Sequence, residues 1–286
     1  MYHYVRDVAS TPYPGIKARS LAEFRGQLDH IERKYEIIGC ETVRGRCLPA
    51  NAALLTFDDG LVDHLEHVLP ELRRRGLRGC FCPPAQAVLE RKVLDVHKVQ
   101  FLLAASDDHA ALADRITDSE ELRARYAKPN RFDPAETVLV KRLLQDGLPE
   151  PERRATLDRL FAELVADDET TFADELYLTL DGVQELAGAA MDVAGHGYEH
   201  KRLELLDEPD QATEIGRTLG FLALAGVDGS GWAMCYPYGS RNATTLRLLR
   251  EAGCALAFTV DPRVAAPTDN LLELPRLDTN DLPLSG

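Results

Sequence analysis

Five consecutive residues, Thr56-Phe57-Asp58-Asp59-Gly60, and two distant histidines, His196 and His200, are the side chains of this 286-residue chain whose types and spacing suit chemistry. The aspartates follow the apolar run Ala52-Ala53-Leu54-Leu55, short enough for a buried strand. Neighbouring side chains on a strand point to opposite faces, but past the last ladder bond both can turn toward one site. Two like charges buried close together raise one pKa strongly unless a cation compensates, and a divalent metal is such a cation. Gly60 lets the backbone turn sharply into the helical pattern that follows. Taken alone, the five residues also read as a solvated Asp-Asp-Gly turn.

The histidines are four apart, the spacing that stacks two imidazoles on one helical turn, and Gly195 and Gly197 flank the first of them. Two histidines and one carboxylate make a three-ligand facial site with open positions for water. A HxxxH alone equally describes two surface histidines. Set beside an Asp-Asp-Gly at the end of another strand, it points to a metal centre.

The elements that must position these groups follow an alternating order. Tyr2–Val5, Glu36–Ile38, the run into the Asp pair, and Arg78–Cys82 read as strands. Between them, Ser20 and Glu23 cap a helix from Leu21 to Tyr35, and Leu61 to Leu72 form another, with Pro70 a bend and Gly76 its stop. From about residue 85 to 178 helical segments follow one another, among them Val93–Leu112, and no strand separates them. A helix over Thr179–Ala187 then resumes the alternation. Strands at Met191–Ala194, Trp232–Cys235, Leu256–Val260 and Leu271–Leu274 and helices at Pro209–Ala225 and Asn242–Gly253 complete it. Strand–helix alternation favours a parallel sheet or barrel with helices outside.

Composition narrows the classes. The chain is 45% hydrophobic and 28% charged, ordinary for a soluble globular protein, and its net charge of −14 argues against a broad nucleic-acid footprint. No stretch has the apolar length of a membrane span, and the amino terminus lacks the layout of a secretory signal. Cys40, Cys47, Cys80, Cys82, Cys235 and Cys254 show no zinc-finger spacing and read as free thiols of a reducing compartment, so a cytoplasmic protein is expected.

The residues at three places resemble the polysaccharide deacetylases of carbohydrate esterase family 4, the NodB-homology family. Thr56-Phe57-Asp58-Asp59-Gly60 matches the family's first motif and Gly195-His196-Gly197-Tyr198-Glu199-His200 its second, while Tyr236-Pro237-Tyr238-Gly239 is similar to the third. The resemblance covers about residues 1–84 and 179–280. It implies an α/β fold, a distorted (β/α)7-type barrel, here a single domain over residues 1–286 with a helical insertion at about 85–178. It also implies Asp58 as catalytic base, Asp59, His196 and His200 as ligands of a divalent metal (Zn2+, or Co2+ or Ni2+), and the backbone N–H of Tyr238 as an oxyanion donor. A bound divalent ion lowers the pKa of its water, and an uncoordinated Asp58 can take the proton as that water attacks an acetyl carbonyl.

Two positions depart from the family pattern. Cys235 stands where many members carry an arginine that holds the catalytic aspartate. Arg276 is a substitute reaching in from the last strand, or else a surface partner of Asp278. No histidine follows His200, so the family's late general-acid motif is missing. His3, at the end of the first strand, is the candidate to protonate the leaving amine, with a core or solvent-facing role as the alternative. His97, in the insertion, is a candidate for substrate contact, and His30, His64, His67 and His109 read as surface residues. Tyr198 and Tyr238 either stack on a sugar or pack inside the rim.

The expected activity is metal-dependent removal of an N-acetyl group from an acetamido sugar, an intracellular nucleotide-, lipid- or oligosaccharide-linked precursor of a surface glycan. The rivals are hydrolysis of another C–N bond, such as a cyclic imide or ureide, and a catalytically silent sugar-binding protein. No nucleic-acid partner and no membrane span are expected.

Overall fold

The computed structural model of the protein describes residues 1–284, which divide into two compact units. The first takes Met1–Arg6, Ala18–Lys92 and the chain from Asp174 onward; the second takes Asp7–Lys17 and Val93–Ala173.

In the first unit, helix α1 (Leu21–Glu32) begins at the reciprocal Ser20/Glu23 cap. Strand β1 (Glu36–Ile37), the short helix α2 (Cys40–Gly45), β2 (Ala52–Ala53) and β3 (Thr56–Asp58) follow. Six residues are too few for α2 to show a periodicity, so no pattern announces it. The single helix expected over 61–72 is instead a wide π turn over His64–Val68 that runs into α3 (Leu69–Arg75). Pro70 lies in the first turn of α3, directly after the π turn, so the helical run is irregular where the bend was expected. Gly76 ends α3 in the left-handed conformation. β4 (Cys80–Cys82) and α4 (Ala85–Leu89) close this half.

The second unit is helical: α5 (Asp95–Ala104), α6 (His109–Asp114), α7 (Glu120–Tyr126), α8 (Ala135–Arg142), α9 (Glu150–Leu164) and α10 (Glu169–Leu176), whose last turn belongs to the first unit. The continuous helix expected over 93–112 is broken, because the Asp108 side chain accepts from the N–H groups of Ala110 and Ala111 and caps a new helix. Leu102, Leu112, Leu139, Leu143, Leu157 and Leu160 build a core of its own. His97 is fully buried here, and His109 is half-buried, bonded to Thr137 and the Leu103 carbonyl.

Back in the first unit come α11 (Leu180–Gly188), β5 (Asp192–Val193), α12 (Glu208–Leu224), β6 (Ala233–Cys235), α13 (Ala243–Glu251) and β7 (Leu256–Phe258). β3, β4 and β5 pair in parallel, as do β6 and β7. Single bridges from Tyr2 to Phe57, Gly195 to Met234 and Phe258 to Leu274 carry parallel pairing from Tyr2 across to Leu274. The last expected strand is reduced to that final bridge. The result is a helix-rich mixed α/β fold, and strand pairing among the described residues does not close it into a barrel.

Alternation along the strands sorts their side chains. Phe57, Phe81, Val193, Met234 and Ala257 join the core cluster that includes Phe24 and Leu28 of α1, and the Phe57 and Phe81 rings stack 4.8 Å apart. Cys80, Cys82, Cys235, Leu256 and Phe258 form the cluster on the opposite face, to which the period of two also assigns Thr56 and Asp58. All six cysteines are free. Among the described residues no helix is long and apolar enough to cross a membrane.

Gly60 holds φ +61, and a Cβ there would lie 2.7 Å from Pro83 Cβ. Gly60→Ala is expected to cost about 1–2 kcal/mol from the left-handed backbone alone, with the Pro83 clash added. Thermal unfolding of the variant should show a midpoint several degrees below that of the parent protein.

Candidate active site

Asp58 is the last residue of β3, and the backbone of Asp59 leaves the strand at φ +73, its N–H donating to the Cys82 carbonyl at 3.1 Å. The positive φ, rare for a side chain larger than glycine, is what turns Asp59 out of the strand alternation. Both carboxylates are buried.

Their partners differ. Arg276 grips Asp58 with a two-pronged bond, Nη1 to Oδ1 and Nη2 to Oδ2, both 2.8 Å. The guanidinium is itself fixed by Thr56 Oγ1 at 3.1 Å and the Thr259 carbonyl at 2.8 Å. Burial works against ionisation of Asp58, and the Arg276 charge, then that of His196, outweigh it and hold the carboxyl well below the usual carboxylate range. The Cys235 thiol adds a weak contact to Asp58 Oδ2 at 3.4 Å. Arg276 is therefore not a surface partner of Asp278: it is 7% exposed and spent on the strand end.

Asp59 Oδ1 instead faces His196 Nε2 at 3.3 Å and His200 Nε2 at 3.5 Å. The two imidazole centroids are 4.7 Å apart. They do not share a helical turn, as their spacing had suggested. Residues 196–200 form a loop beyond β5, curled by Gly197 at φ +73 and His200 at φ +56. His196 Nδ1 donates to the Cys235 carbonyl at 2.9 Å, which fixes the tautomer and aims the Nε2 lone pair at Asp59.

One oxygen and two ring nitrogens, all within 4.8 Å of one another, thus converge with their acceptor sides inward. That arrangement is repulsive until something positive lies between them. Burial disfavours charge on His196, yet Cys235 and Asp59 raise its pKa well above the usual value, the same demand for positive charge. Two imidazoles and one carboxylate suit zinc and related divalent ions. Asp58, His196 and Cys235 also lie within ligand distance of one another, but Arg276 occupies both Asp58 oxygens and repels a second cation there.

His3 reaches the same place, its Nε2 3.9 Å from Asp59 Oδ2, with 38% of its side chain exposed. Its carbonyl accepts from His64 Nε2 at 3.1 Å. His64, expected at the surface, is completely buried against Phe57 and Phe81, and burial pushes its pKa down to about 4. His64 stands three residues after Leu61 and four before Val68, so helical spacing alone already sets it beside the buried stripe. Tyr238 lies in the turn after β6 at φ 58, its ring 4.9 Å from that of His200 and under the Arg202 guanidinium. Tyr198 packs beneath Arg217, its hydroxyl donating to Glu90. The sequence reading overlooked Thr56 as a support of Arg276, the Cys235 carbonyl as the partner of His196, and Glu214 behind the histidine loop. Glu214 alone left a trace in the sequence, an acid on the buried stripe of α12.

Removing the Arg276 guanidinium leaves a buried carboxylate unpaired, a loss of about 3–5 kcal/mol. Urea unfolding should show that loss for Arg276→Met. Arg276→Lys keeps the charge but not the fork, and should recover only part of it.

The sequence pattern of the family described as polysaccharide deacetylase matches residues 166–257, the stretch that holds both histidines and the Tyr238 turn. No curated protein sequence matches the chain. Among solved structures, the deacetylase PplD of Streptococcus pyogenes, in complex with acetate, is 17% identical over 97% of this chain and 89% of its own, with a TM-score of 0.60. IcaB from Ammonifex degensii is 20% identical over 96% and 88%, TM-score 0.60. A de-N-acetylase from Aggregatibacter actinomycetemcomitans is 14% identical over 97% and 93%, TM-score 0.55. At such identities the likeness is one of fold. The resemblance read from the motifs is borne out: residues 166–257 carry the sequence pattern of the polysaccharide deacetylases, and the chain has the fold of solved deacetylases.

Proposed function

We propose that this protein is a metal-dependent hydrolase that removes the N-acetyl group from an acetamido sugar. One observation carries the reading: Asp59, His196 and His200 converge as a ligand set directly beside an Asp58 that Arg276 holds ionised. A divalent ion, Zn2+ first and Co2+ or Ni2+ as alternatives, would be held by those three side chains and would supply an acidified water and positive charge for the amide oxygen.

The chain's own groups do the rest. Asp58, not needed as a ligand, takes the proton from the attacking water. Arg276 keeps that carboxylate charged and fixes its plane. His3, the more exposed imidazole at the rim, gives a proton to the departing amine. The Tyr238 backbone N–H, in its turn beside His200, is assigned to the oxyanion by the family resemblance.

The parallel run from Tyr2 to Leu274 supports reading the first unit as the larger part of a distorted (β/α)7-type barrel, with the helical segment an insertion in a single catalytic domain. Six free cysteines, five of them buried, are in keeping with a reducing compartment. We therefore place the substrate among intracellular nucleotide-, lipid- or oligosaccharide-linked acetamido sugars.

The test is acetate release from such sugars, with small cyclic imides assayed in parallel. Chelation should abolish release and zinc or cobalt restore it. Asp58→Asn should lower the rate by about 10²–10⁴-fold, the usual worth of a positioned acid or base. Full activity in Asp59→Ala would end the metal reading, and turnover of imides alone would replace the substrate.

A further inference from the structure

Behind the histidine loop lies a carboxylate for which the chemistry above has no use. Glu214 is buried on α12, on the face it shares with Gln211, Ile215 and Thr218. Its Oε2 accepts from the backbone N–H of Tyr198 at 2.9 Å and of Glu199 at 3.1 Å, two of the three residues between His196 and His200. Successive N–H groups aimed at one point form an anion-binding concavity, and here the anion is the chain's own side chain.

The opposite edge of the loop is also held. The Gly197 carbonyl accepts from Ala85 N at 3.2 Å and the Tyr198 carbonyl from Gln86 N at 2.9 Å, at the start of α4. At Gly197 the loop is closely walled. A Cβ on Gly197 would lie 3.2 Å from Pro237 Cγ and 3.5 Å from Glu214 Oε2, at a φ of +73 that favours glycine. The loop ends at His200 with φ +56, a conformation an L residue holds only when its surroundings impose it.

We propose that Glu214 is a positioning residue of the metal centre: by binding the Tyr198 and Glu199 amides it holds the loop in the one shape that brings both imidazoles onto Asp59. This rests on the metal reading above. Because both bonds fall on a single oxygen, the carbonyl of a glutamine can replace the carboxylate. An aspartate is one methylene too short, and an alanine offers nothing.

The test measures zinc affinity of the full chain by competition with a chromophoric chelator, for the parent protein and for E214Q, E214D and E214A. Thermal unfolding and hydrogen exchange at the Tyr198 and Glu199 amides are followed without metal. E214Q should bind zinc within a few-fold of the parent. E214D and E214A should bind about 10–100-fold more weakly, the usual effect of losing a group that orients a ligand, and exchange both amides faster. If E214A does not fold, the contrast between E214D and E214Q carries the test. Parent-like zinc affinity in folded E214D or E214A would overturn the inference, and so would an E214Q as weak as E214D. A parent protein that binds no zinc would bring down the metal reading and this inference with it, whereas tight binding by parent and E214A alike removes this inference alone.

Discussion

Two adjacent carboxylates are buried at the end of one strand, and the rest of the molecule is arranged around making that tolerable. Unpaired, they would force one another toward protonation. The fold separates their fates by a single backbone rotation. Asp58 stays in the strand alternation, on the face with Cys82 and Cys235, and meets a guanidinium. Asp59 turns away at φ +73 and meets two imidazoles. One negative charge is cancelled by Arg276, and the other faces the ring nitrogens of His196 and His200. Identical side chains one residue apart thus meet different surroundings, a guanidinium and a pair of imidazoles.

That division depends on backbone held in conformations that L residues avoid. Asp59, His200 and Tyr238 all have positive φ, and each lies at a loop that leaves the carboxyl end of a parallel strand. Ligand and catalytic sites of parallel α/β sheets lie at these ends, where loops from several strands meet. A glycine with positive φ sits in each loop as well: Gly60, Gly197 and Gly239. Strain at a single residue is readily relaxed by a loop left to itself. Here the surroundings forbid it, since Pro83 walls off Gly60, Glu214 and α4 hold the histidine loop, and Val260 packs against Gly239.

What the sequence disclosed and what it concealed follow from the range of the forces involved. The Asp pair and the histidine motif are local patterns, and so is the strand–helix alternation, because burial on one face imprints a short period. Arg276 was legible only as an alternative, since a charged residue near a strand end looks the same whether it faces solvent or an aspartate 218 positions away. The histidine loop was read with a helix's geometry because spacing of four is ambiguous until the φ of Gly197 and His200 is known. His64, expected at the surface, shares the buried face with Leu61 and Val68, because a polar side chain at the helical spacing of a core stripe looks the same whether it faces solvent or aromatic rings. The helical unit was visible as a change of rhythm, but its short segment Asp7–Lys17 was not, since the bonds of Lys17 to Asp133 and Tyr13 to Val165 join residues far apart in sequence.

The amino terminus shows how economical the first motif is. Tyr2 pairs with Phe57, and its carbonyl accepts from Asp58 N at 2.9 Å, so the segment bearing His3 is laid against β3 itself. Asp63 then accepts from Val5 N at 3.0 Å and from Arg6, and His64 donates to the His3 carbonyl. That bond needs the proton on Nε2, and burial, by lowering the pKa of His64, keeps the other ring nitrogen unprotonated. The stretch from Thr56 to His64 therefore holds both carboxylates, the turn that parts them, and both anchors of the segment that brings a third imidazole to the rim. His3 keeps its register against Asp59 because its anchors, Asp63 and His64, belong to the same stretch of chain as that aspartate.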